Sequence, residues 1–436
     1  MSKKKKGVLA RLRFPEFRDA GEWVVEQLGE VYSFHPTNSF SRDKLSYESG
    51  TIKNIHYGDI HTKFAVLFDI TKEQVPNLHP SLDIEKLTHE AYCKEGDIIL
   101  ADASEDIDDI GKSIEIVNLN GEKLVSGLHT IMARKKSPKL IVGFGGYLFR
   151  TAYIREQIKR EAQGAKVFEI SPKRLSKITV IYPSIKAEQQ KIADCLSSRD
   201  EVIDLEAQKL EALRAHKKGL MQQLFPREGE TTPRLRFPEF RNAAEWVVER
   251  LGDVVKVTGG GTPSTNIKEF WDGSIPWVSS SDIAEDSVHG INVRKFITEE
   301  AIKNSATRIV PANSILLVSR VGIGKLAVSR RPMCTSQDFT NLTPVKDDAL
   351  FLAYYLKAIV HIFESFNQGM AIKGFTKEDV ENLQIALPNF ASGEQQKIAG
   401  CLSSLDEVIE LEAQNLDALK AHKKGLMQQL FPQEVD

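Results

Sequence analysis

Cysteine is scarce in this chain: 436 residues contain only four, and none forms a CxxC pair. This excludes a disulfide-stabilised scaffold, a structural zinc site and a thiol redox motif, and it fits a reducing, cytoplasmic compartment. Long apolar runs are also missing, because no stretch reaches the roughly 18 apolar residues that span a bilayer. The basic residues 1–6 are followed by no apolar segment, so we expect no secretory signal. The four cysteines are Cys93, Cys195, Cys334 and Cys401.

Motifs of catalysis and metal binding are missing as well. The ten histidines form neither an HExxH motif nor a convincing triad. The acidic run at 102–109 lacks the spacing of an EF-hand loop. The segment GIGKL at 322–326 departs from a phosphate-binding loop, because Ser319 stands at the first glycine and Leu326 at the final Ser or Thr. We therefore expect a non-catalytic chain with no metal and no cofactor of its own.

The chain consists of two copies of one unit. Residues 11–31 recur as 234–254 with 17 of 21 positions identical, and residues 187–226 recur as 393–432 with 33 of 40 identical. We call these repeated segments the frame of each copy, and the segment between them the insert. The two frames are nearly identical, whereas the two inserts look unrelated. Neutral drift after a duplication would have blurred frame and insert alike. The contrast predicts one shared mechanical role and two different recognition roles.

A faint common skeleton nevertheless links the two inserts. The tripeptide IGK occurs at 110–112 in the first and at 323–325 in the second, each time after a short apolar run typical of a strand. The dipeptide QG at 163–164 corresponds to QG at 368–369. The two inserts are therefore predicted to share one fold.

A long helix closes each frame. From residues 187 and 393 onward, apolar side chains recur at alternating spacings of three and four over more than four heptads, which is typical of a coiled-coil seam. Helix formers dominate, and Pro226 and Pro432 provide the stops. About 38 residues at 1.5 Å each predict a rod of roughly 57 Å.

Polar residues in the predicted seam indicate how the two helices pair. A parallel pair would bring Glu206 against Glu412 and Lys217 against Lys423, so that like charges meet. In an antiparallel pair Glu206 can face Lys423 and Lys217 can face Glu412, unless these side chains simply extend into solvent. We predict an antiparallel pair within one chain, with a pseudo-twofold axis.

Local patches, rather than the net charge of −2, favour a nucleic-acid partner. Basic residues collect late in the first insert and over 294–331 in the second, where they can neutralise phosphates, although a solvated surface would look similar. Small polar residues form the loops GGGTPSTN at 259–266 and IPWVSSSD at 275–282. Their glycines are expected to allow close backbone approach to a ligand.

Most candidate DNA-contacting residues come from these patches and loops and from the small polar and basic residues around residues 37–44, which open the first insert. Asn, Gln, Arg and Lys can read base edges. Trp271 and Trp277, close by in sequence, are interpreted as core anchors. The candidates in the first insert are Asn38, Ser39, Arg42, Lys44, Lys112, Arg134, Lys135, Lys136 and Lys166. Those in the second are Thr262, Ser264, Thr265, Asn266, Ser279, Ser280, Ser281, Arg320, Lys325, Gln337 and Lys373.

Over essentially its whole length the sequence resembles the specificity subunit of type I restriction-modification systems. The resemblance rests on the paired frames, on GGGTPS and IPWVSSSDI in the second insert, and on EQQKIA, which opens each long helix. It implies an α+β fold in which two α/β target recognition domains are joined by two long helices forming the antiparallel coiled coil. The expected segments are a frame segment (1–31), the first recognition domain (32–186), the first spacer helix (187–226), a linker with the repeated frame (227–254), the second recognition domain (255–392), and the second spacer helix with the C-terminus (393–436).

The resemblance also implies a function and partners. Such subunits bind double-stranded DNA, with each recognition domain reading one half of a bipartite, asymmetric target. They bind two modification subunits, which methylate adenine with S-adenosylmethionine, and restriction subunits, which use ATP and Mg²⁺, can join. The methyltransferase motifs NPPF and DPPY do not occur here. We expect a cytoplasmic, non-catalytic subunit without a membrane segment, with modification subunits docked on residues 11–31 and 234–254.

Two other functions fit the sequence less well. An autonomous methyltransferase or nuclease would need cofactor and catalytic motifs, which are missing. A coiled-coil scaffold without affinity for DNA predicts featureless inserts, whereas this chain has two full-size inserts that have diverged independently.

Overall fold

The computed structural model describes residues 8–84, 87–365 and 374–433. The chain divides into two compact units: unit 1 has residues 1–206 and 416–436, and unit 2 has residues 207–415. Each unit holds one insert, the first part of one long helix and the last part of the other. Across the described ranges, no helix has both the length and the apolar surface needed to cross a membrane.

The elements of unit 1 ahead of the first long helix are short. They are β1 (Val24–Gln27), α1 (Leu28–Val31), β2 (Tyr32–His35), β3 (Leu45–Ser46), β4 (Lys53–Ile55), α2 (Tyr57–Thr62), β5 (Leu67–Asp69), β6 (Asn77–Leu78), β7 (Ile98–Ala101), β8 (Ala103–Ser104), β9 (Ser113–Asn118), β10 (Leu124–Ser126), β11 (Thr130–Lys135), α3 (Phe144–Phe149), α4 (Ala152–Glu161), β12 (Phe168–Glu169), α5 (Pro172–Leu175) and β13 (Thr179–Tyr182). The first long helix, α6, follows (Lys186–Leu224).

Unit 1 folds around a five-stranded sheet in the order β2-β11-β7-β9-β5, antiparallel except for the pair of β5 and β9. The apolar run of β7 is buried on both faces of this sheet. Ile98 and Leu100 join one core cluster, and Ile99 joins another, because successive side chains of a strand point to opposite faces. A second sheet, β10-β4-β6-β3, contains the parallel pair of β10 and β4.

Unit 2 has a similar series of elements. They are β14 (Val247–Arg250), α7 (Leu251–Val254), β15 (Val255–Gly259), β16 (Ile275–Val278), β17 (Lys295–Ile297), α8 (Glu299–Lys303), β18 (Ile315–Val318), β19 (Leu326–Val328), β20 (Cys334–Thr335), β21 (Phe339–Pro344), α9 (Ala349–Ala358), α10 (Val360–Ser365), α11 (Lys377–Glu381), β22 (Gln384–Leu387) and the second long helix α12 (Glu394–Leu430).

The main sheet of unit 2 repeats the topology of unit 1. Its order is β15-β21-β18-β19, which matches β2-β11-β7-β9 strand for strand, and the parallel pair of β16 and β20 matches β4 and β10. Gly111 and Gly324 of the shared IGK tripeptide both have a left-handed backbone, with φ of 63° and 82°. The prediction that the dissimilar inserts share one fold is confirmed. The QG dipeptide at 368–369 lies outside the described residues.

The two long helices begin and end where the sequence predicts. α6 ends just before Pro226 and α12 just before Pro432, since proline cannot continue the helical hydrogen bonding. Ile192 and Leu196 near the start of α6 are buried, as are the equivalent Ile398 and Leu402 of α12. The apolar seam is therefore present in both copies.

The helices pair antiparallel, but in a different register from the predicted one. In unit 2, Lys209 of α6 pairs with Glu412 of α12, and further along α6 Lys217 pairs with the earlier residue Asp406. In unit 1, Lys423 pairs with Asp200. Lys217 and Lys423 thus each meet an acid six residues earlier than the predicted Glu412 and Glu206.

The apolar contacts explain this difference in register. In unit 1 the cluster around Ile192 and Leu196 of α6 includes Leu430 and Phe431 at the end of α12. This packing places Asp200 opposite Lys423. Bringing Glu206 to Lys423 would need a shift of about 9 Å at 1.5 Å per residue, which would separate these apolar side chains.

Each frame segment closes onto the start of a long helix through the same ion pair. Arg13 donates two hydrogen bonds to Glu188 of α6, at 2.6 and 2.7 Å. Arg236 donates two to Glu394 of α12, both at 2.7 Å. All four side chains are almost fully buried. The identical RLRF sequences therefore attach the frame segment to the long helix in both units. The planar guanidinium group suits this bidentate contact.

Candidate nucleic-acid interface

The loops that carry most of the predicted residues meet at one edge of the main sheet in each unit. In unit 2, β15 and β18 both end where β21 begins, with Val318 paired to Phe339. In unit 1, β2 and β7 end beside the start of β11, with Ala101 paired to Thr130. We call this edge the rim of each unit. The unit 1 rim comprises residues 36–44, 56–63, 102–112 and 127–129, and the unit 2 rim comprises 260–266, 279–282, 319–325 and 336–338.

Hydrogen bonds tie the loops of the unit 2 rim together. The hydroxyl of Thr262 donates to the side-chain carbonyl of Gln337. The amide and the hydroxyl of Ser319 donate to the carbonyl of Asp338, at 2.7 and 3.0 Å. Residues predicted from distant parts of the sequence are thus brought into one surface. The same surface carries the exposed side chains of Ser264, Thr265 and Asn266.

The glycines of the loop after β15 have a role within the fold. A Cβ on Gly260 would lie 2.0 Å from the carbonyl oxygen of Ser336, and a Cβ on Gly261 would lie 2.4 Å from the amide nitrogen of Thr307. These glycines let the loop pack against the protein's own backbone. This packing is sufficient to require glycine at both positions, and the expectation that they allow close approach of a ligand stays a prediction.

The serines at 279–281 surround the start of a short 3-10 helix. Ser279 and Asp282 form a reciprocal capping box, in which the Ser279 amide donates to the Asp282 carboxylate at 2.8 Å. Arg294 also donates to this carboxylate, at 2.7 Å. Ser279 therefore stabilises the fold, while Ser281 is exposed and Ser280 is half-buried.

The two tryptophans are core anchors, as predicted. Their rings meet edge to face with centroids 5.0 Å apart. Trp277 is buried and its Nε1 donates to the carbonyl of Gly261 at 3.0 Å, while Trp271 is half-buried. The ammonium group of Lys295 lies 5.6 Å from each ring centroid. The pair supports the loop that carries Thr262.

Basic side chains complete the unit 2 rim. Arg320 is exposed in the loop after β18. Lys325 of the same loop is half-buried, with its ammonium group 3.8 Å from the carboxylate of Glu285. Both side chains reach solvent and are therefore accessible to phosphate groups. The remaining candidate, Lys373, lies outside the described residues.

In unit 1 the structure places five predicted residues on the rim. Asn38 donates to the carbonyl of Ser126 at 2.9 Å, which fixes the loop after β2 to the end of β10. Arg42 donates to the buried carboxylate of Asp59 at 2.9 Å, while half of its side chain stays exposed. The other three are Ser39 and Lys44, which are exposed, and Lys112, which donates to the carbonyl of His61 at 2.7 Å.

Two predicted residues of unit 1 stabilise the domain interior instead. Arg134 donates to the buried carboxylate of Asp97 at 2.6 and 2.9 Å. Lys135 pairs with the buried Glu115 at 3.4 Å. Burial raises the pKa of the Glu115 carboxyl, and Lys135 opposes that rise. The side chains of Arg134 and Lys135 are thus engaged inside the domain, because separating them from these partners would leave buried carboxylates unpaired.

Two further basic residues of unit 1 are exposed away from the defined rim loops. Lys136 donates to the carbonyl of Gly29 at 2.6 Å, beside the frame. Lys166 is exposed in the loop before β12, whose partner strand β8 directly follows Asp102. Lys166 is therefore the better placed of the two to approach a ligand on the rim.

The unit 1 rim also contains an aromatic and imidazole cluster that the sequence analysis missed. The ring of Tyr57 packs against those of His56, His61 and His129, with centroid distances of 4.7, 6.2 and 5.4 Å. Nδ1 of His129 lies 3.2 Å from a carboxylate oxygen of Asp102. His56, Tyr57 and His61 belong to α2 and its N-cap, whereas Asp102 follows β7 and His129 lies in the turn before β11. Only the strand pairing of β4 with β10 and of β7 with β11 could have joined these three segments.

The local electrostatics favour the neutral form of His56. Its Nδ1 lies 3.1 Å from both the amide of Gly58 and a guanidinium nitrogen of Arg42. Both neighbours are donors, so Nδ1 accepts and the ring proton belongs on Nε2. Burial has the largest effect and lowers the pKa of His56, and the positive charge of Arg42 lowers it further. Burial also lowers the pKa of His61.

The His and Asp side chains of the rims are not arranged as a metal centre. Across the described ranges, no group of three or more His, Cys, Asp or Glu side chains is placed to hold a metal ion. The rims offer hydroxyl, amide, imidazole and guanidinium groups, which bind by hydrogen bonding and charge.

Both halves of the chain match one known sequence family, the type I restriction modification DNA specificity domain, over residues 20–215 and 243–421. The chain belongs to this family. Each of its two DNA specificity domains includes one insert and most of the following long helix.

Relatives of known name are specificity subunits. The MjaIX subunit of Methanocaldococcus jannaschii is 36% identical over 173 residues, or 38% of this chain and 39% of that subunit. The EcoR124I/EcoR124II subunit of Escherichia coli is 32% identical over 170 residues, which cover 37% of this chain and 41% of that subunit. These two alignments therefore span less than half of each relative. The putative MjaX subunit of M. jannaschii is 24% identical over 425 residues, which cover 95% of this chain and 94% of that subunit.

Solved structures confirm the predicted fold class of the DNA specificity domains. The S subunit of a type I restriction-modification system from M. genitalium aligns with a TM-score of 0.59 at 14% identity, covering 97% of this chain and 99% of that one. A chain from a structure of the type I R-M system aligns with a TM-score of 0.57 at 17% identity, covering 94% and 97%. At these identities the likeness concerns the fold alone.

Proposed function

We propose that the chain is the non-catalytic DNA-recognition subunit of a type I restriction-modification complex. The observation that carries the proposal is the pair of rims, which occupy equivalent edges of two sheets with the same strand order but present different side chains. The recognition domains, residues 32–186 and 255–392, each read one half of a bipartite DNA target. Because the rims differ in chemistry, the half-sites differ in sequence.

Each rim offers the two kinds of contact that sequence recognition requires. Exposed basic groups, such as Arg42 in unit 1 and Arg320 in unit 2, suit phosphates, which position a protein on the duplex. Hydroxyl and amide groups, such as those of Thr265 and Asn266, suit base edges. The two long helices set the number of base pairs between the half-sites, with half-site centres about 10 base pairs apart, one helical turn.

Exposed apolar side chains at equivalent positions support two equivalent docking sites for partners. Val202 and Leu205 of α6 are 39% and 63% exposed, and the equivalent Val408 and Leu411 of α12 are 43% and 65% exposed. Large apolar side chains exposed next to one another on one helix can form protein contacts. We assign both patches, with the frame segments 11–31 and 234–254, to modification subunits, so that two bind each chain.

The chemistry of the complex belongs to its partners. S-adenosylmethionine would bind the modification subunit, and ATP with Mg²⁺ would bind restriction subunits where they join. This chain would supply the DNA sequence preference, and we place it in the cytoplasm.

Two measurements test this function. Gel shifts with and without a modification subunit should show binding to a duplex carrying the mapped site and weaker binding to a scrambled duplex. A scaffold without DNA affinity would shift neither, and methylation by this chain alone would mark an autonomous enzyme. Native mass spectrometry of the methylating complex should give two modification subunits per chain, and a ratio of one to one contradicts the docking sites.

A further inference from the structure

The turn between β10 and β11 holds His129 in an unusual conformation. Its backbone has φ of 56°, in the left-handed region that residues other than glycine rarely adopt. Its carbonyl accepts from the amide of Asp102 at 3.1 Å, and its Nδ1 lies 3.2 Å from the carboxylate of Asp102. Two contacts with one residue therefore hold both the backbone and the ring. Strain of this kind persists where the surrounding structure fixes it, and it is concentrated at functional sites.

The contact with Asp102 determines which ring atom of His129 remains for a ligand. A carboxylate only accepts hydrogen bonds, so Nδ1 donates and Nε2 is left for another partner. Tyr57 packs edge to face against the ring, with centroids 5.4 Å apart and planes at 75°, and this limits its rotation. The His129 side chain is nevertheless 46% exposed. The protein thus orients an imidazole and leaves one edge in solvent.

We infer that His129 is a base-reading residue of the first recognition domain and that Asp102 and Tyr57 are its positioning residues. This inference rests on the proposed function and names a determinant of one half-site. Arg42 lies on the same rim, linked to the cluster through Nδ1 of His56 at 3.1 Å, and provides a phosphate contact beside the base contact. A ring held on two sides recognises a base edge better than a mobile side chain, because less conformational entropy is lost on binding.

The test uses a substitution that the backbone favours. Glycine adopts positive φ readily, so His129→Gly should fold as well as the wild type while removing the ring. Asn120→Gly is the matched control, because Asn120 also has a positive φ, of 48°, in the exposed turn after β9, at the opposite end of that strand from the rim. Each variant is expressed with its modification subunit, and methylated sites are mapped at base resolution.

His129→Gly should reduce discrimination at one or two adjacent positions of one half-site by roughly tenfold or more, the range of a single good base contact. The other half-site should not change, and Asn120→Gly should methylate the wild-type motif. Asp102→Ala should alter the same positions as His129→Gly, because the ring is no longer held. An unchanged motif with His129→Gly overturns the inference. A wild-type complex that yields no bipartite motif contradicts the proposed function instead.

Discussion

Lys217 of α6 and Asp406 of α12 form an ion pair buried between the helix segments of unit 2, with side chains only 10% and 7% exposed. The second carboxylate oxygen of Asp406 accepts from the hydroxyl of Tyr354 in α9 at 2.7 Å. Unit 1 contains the same arrangement, in which Lys423 pairs with Asp200 and Asp200 accepts from Tyr147 of α3 at 2.8 Å. In each unit one aspartate thus joins both helix segments to the recognition domain.

Removing the charge of Lys217 should destabilise the protein, because it leaves the Asp406 carboxylate buried without its cation. We expect Lys217→Met to lower the free energy of unfolding by about 3 kcal/mol or more. Arg214→Ala is the control, since Arg214 and its partner Glu211 on α6 are 44% and 71% exposed, and an exposed pair contributes less than about 1 kcal/mol. Urea unfolding measures both. Equal losses would show that the Lys217 pair is not buried in solution.

The stability that the contact between Arg236 and Glu394 provides should depend on the shape of the guanidinium group as well as on its charge. Arg236→Lys keeps the charge but cannot make both hydrogen bonds to Glu394. We expect a loss of roughly 1.5–3 kcal/mol in the free energy of unfolding. Lys397→Ala, which removes the exposed pair with Glu239, should cost under about 1 kcal/mol. If Arg236→Lys unfolds at the same urea concentration as the wild type, the bidentate contact between Arg236 and Glu394 does not stabilise the protein.

Stability should fall as the pH drops below the ordinary pKa of histidine, about 6.5. Burial and Arg42 lower the pKa of His56 in the folded state, so the unfolded chain takes up the proton first and gains stability as pH falls. The charged and titratable groups facing it are Arg42, Lys63, Asp59 and His129.

The variant His56→Asn isolates this effect, because asparagine can cap α2 in place of the imidazole but does not titrate. Between pH 7.5 and 5.5 the variant should lose less unfolding free energy than the wild type. The measurement is urea unfolding at both pH values. An identical loss in the two proteins would mean that His56 is not held neutral in the fold.

The basic residues of the unit 2 rim should contribute affinity through phosphates. Arg320→Ala and Lys325→Ala should each weaken binding to all duplexes alike and reduce the slope of log affinity against log salt by about 1. Lys346→Ala is a control, because Lys346 follows the far end of β21 and pairs with Glu249 of the frame. Relaxed specificity at one base position would instead assign the residue to base recognition, and no effect on binding would show that the residue does not contact the DNA.

The sequence was sufficient to predict the architecture because repeated apolar patterns determine it. The strand runs around Ile98 and Ile315, the seam around Leu196 and Leu402, and the prolines after the helices all act locally. The helix register was not predictable, because it depends on packing at the helix ends rather than on the charges of Glu206 and Glu412.

The sites were only partly predictable for a related physical reason. Loop composition identified Thr262 and Gln337, which do meet. Composition could not separate Arg134, which pairs with Asp97 inside the sheet, from a basic residue on the surface. The cluster of Tyr57 and His129 requires strand pairing to bring residues 72 positions apart into contact, and the backbone conformation of His129 leaves no mark in the sequence.

The central claim is that each recognition domain reads its own half-site, and a domain exchange tests it most directly. Residues 255–387 are replaced by the corresponding insert of a relative, and the methylated sites of a genome are mapped with the exchanged and the original chain. We predict that one half-site changes, while the other half-site and the number of base pairs between them stay the same. A change in both half-sites, or a continuous palindromic motif, would contradict it.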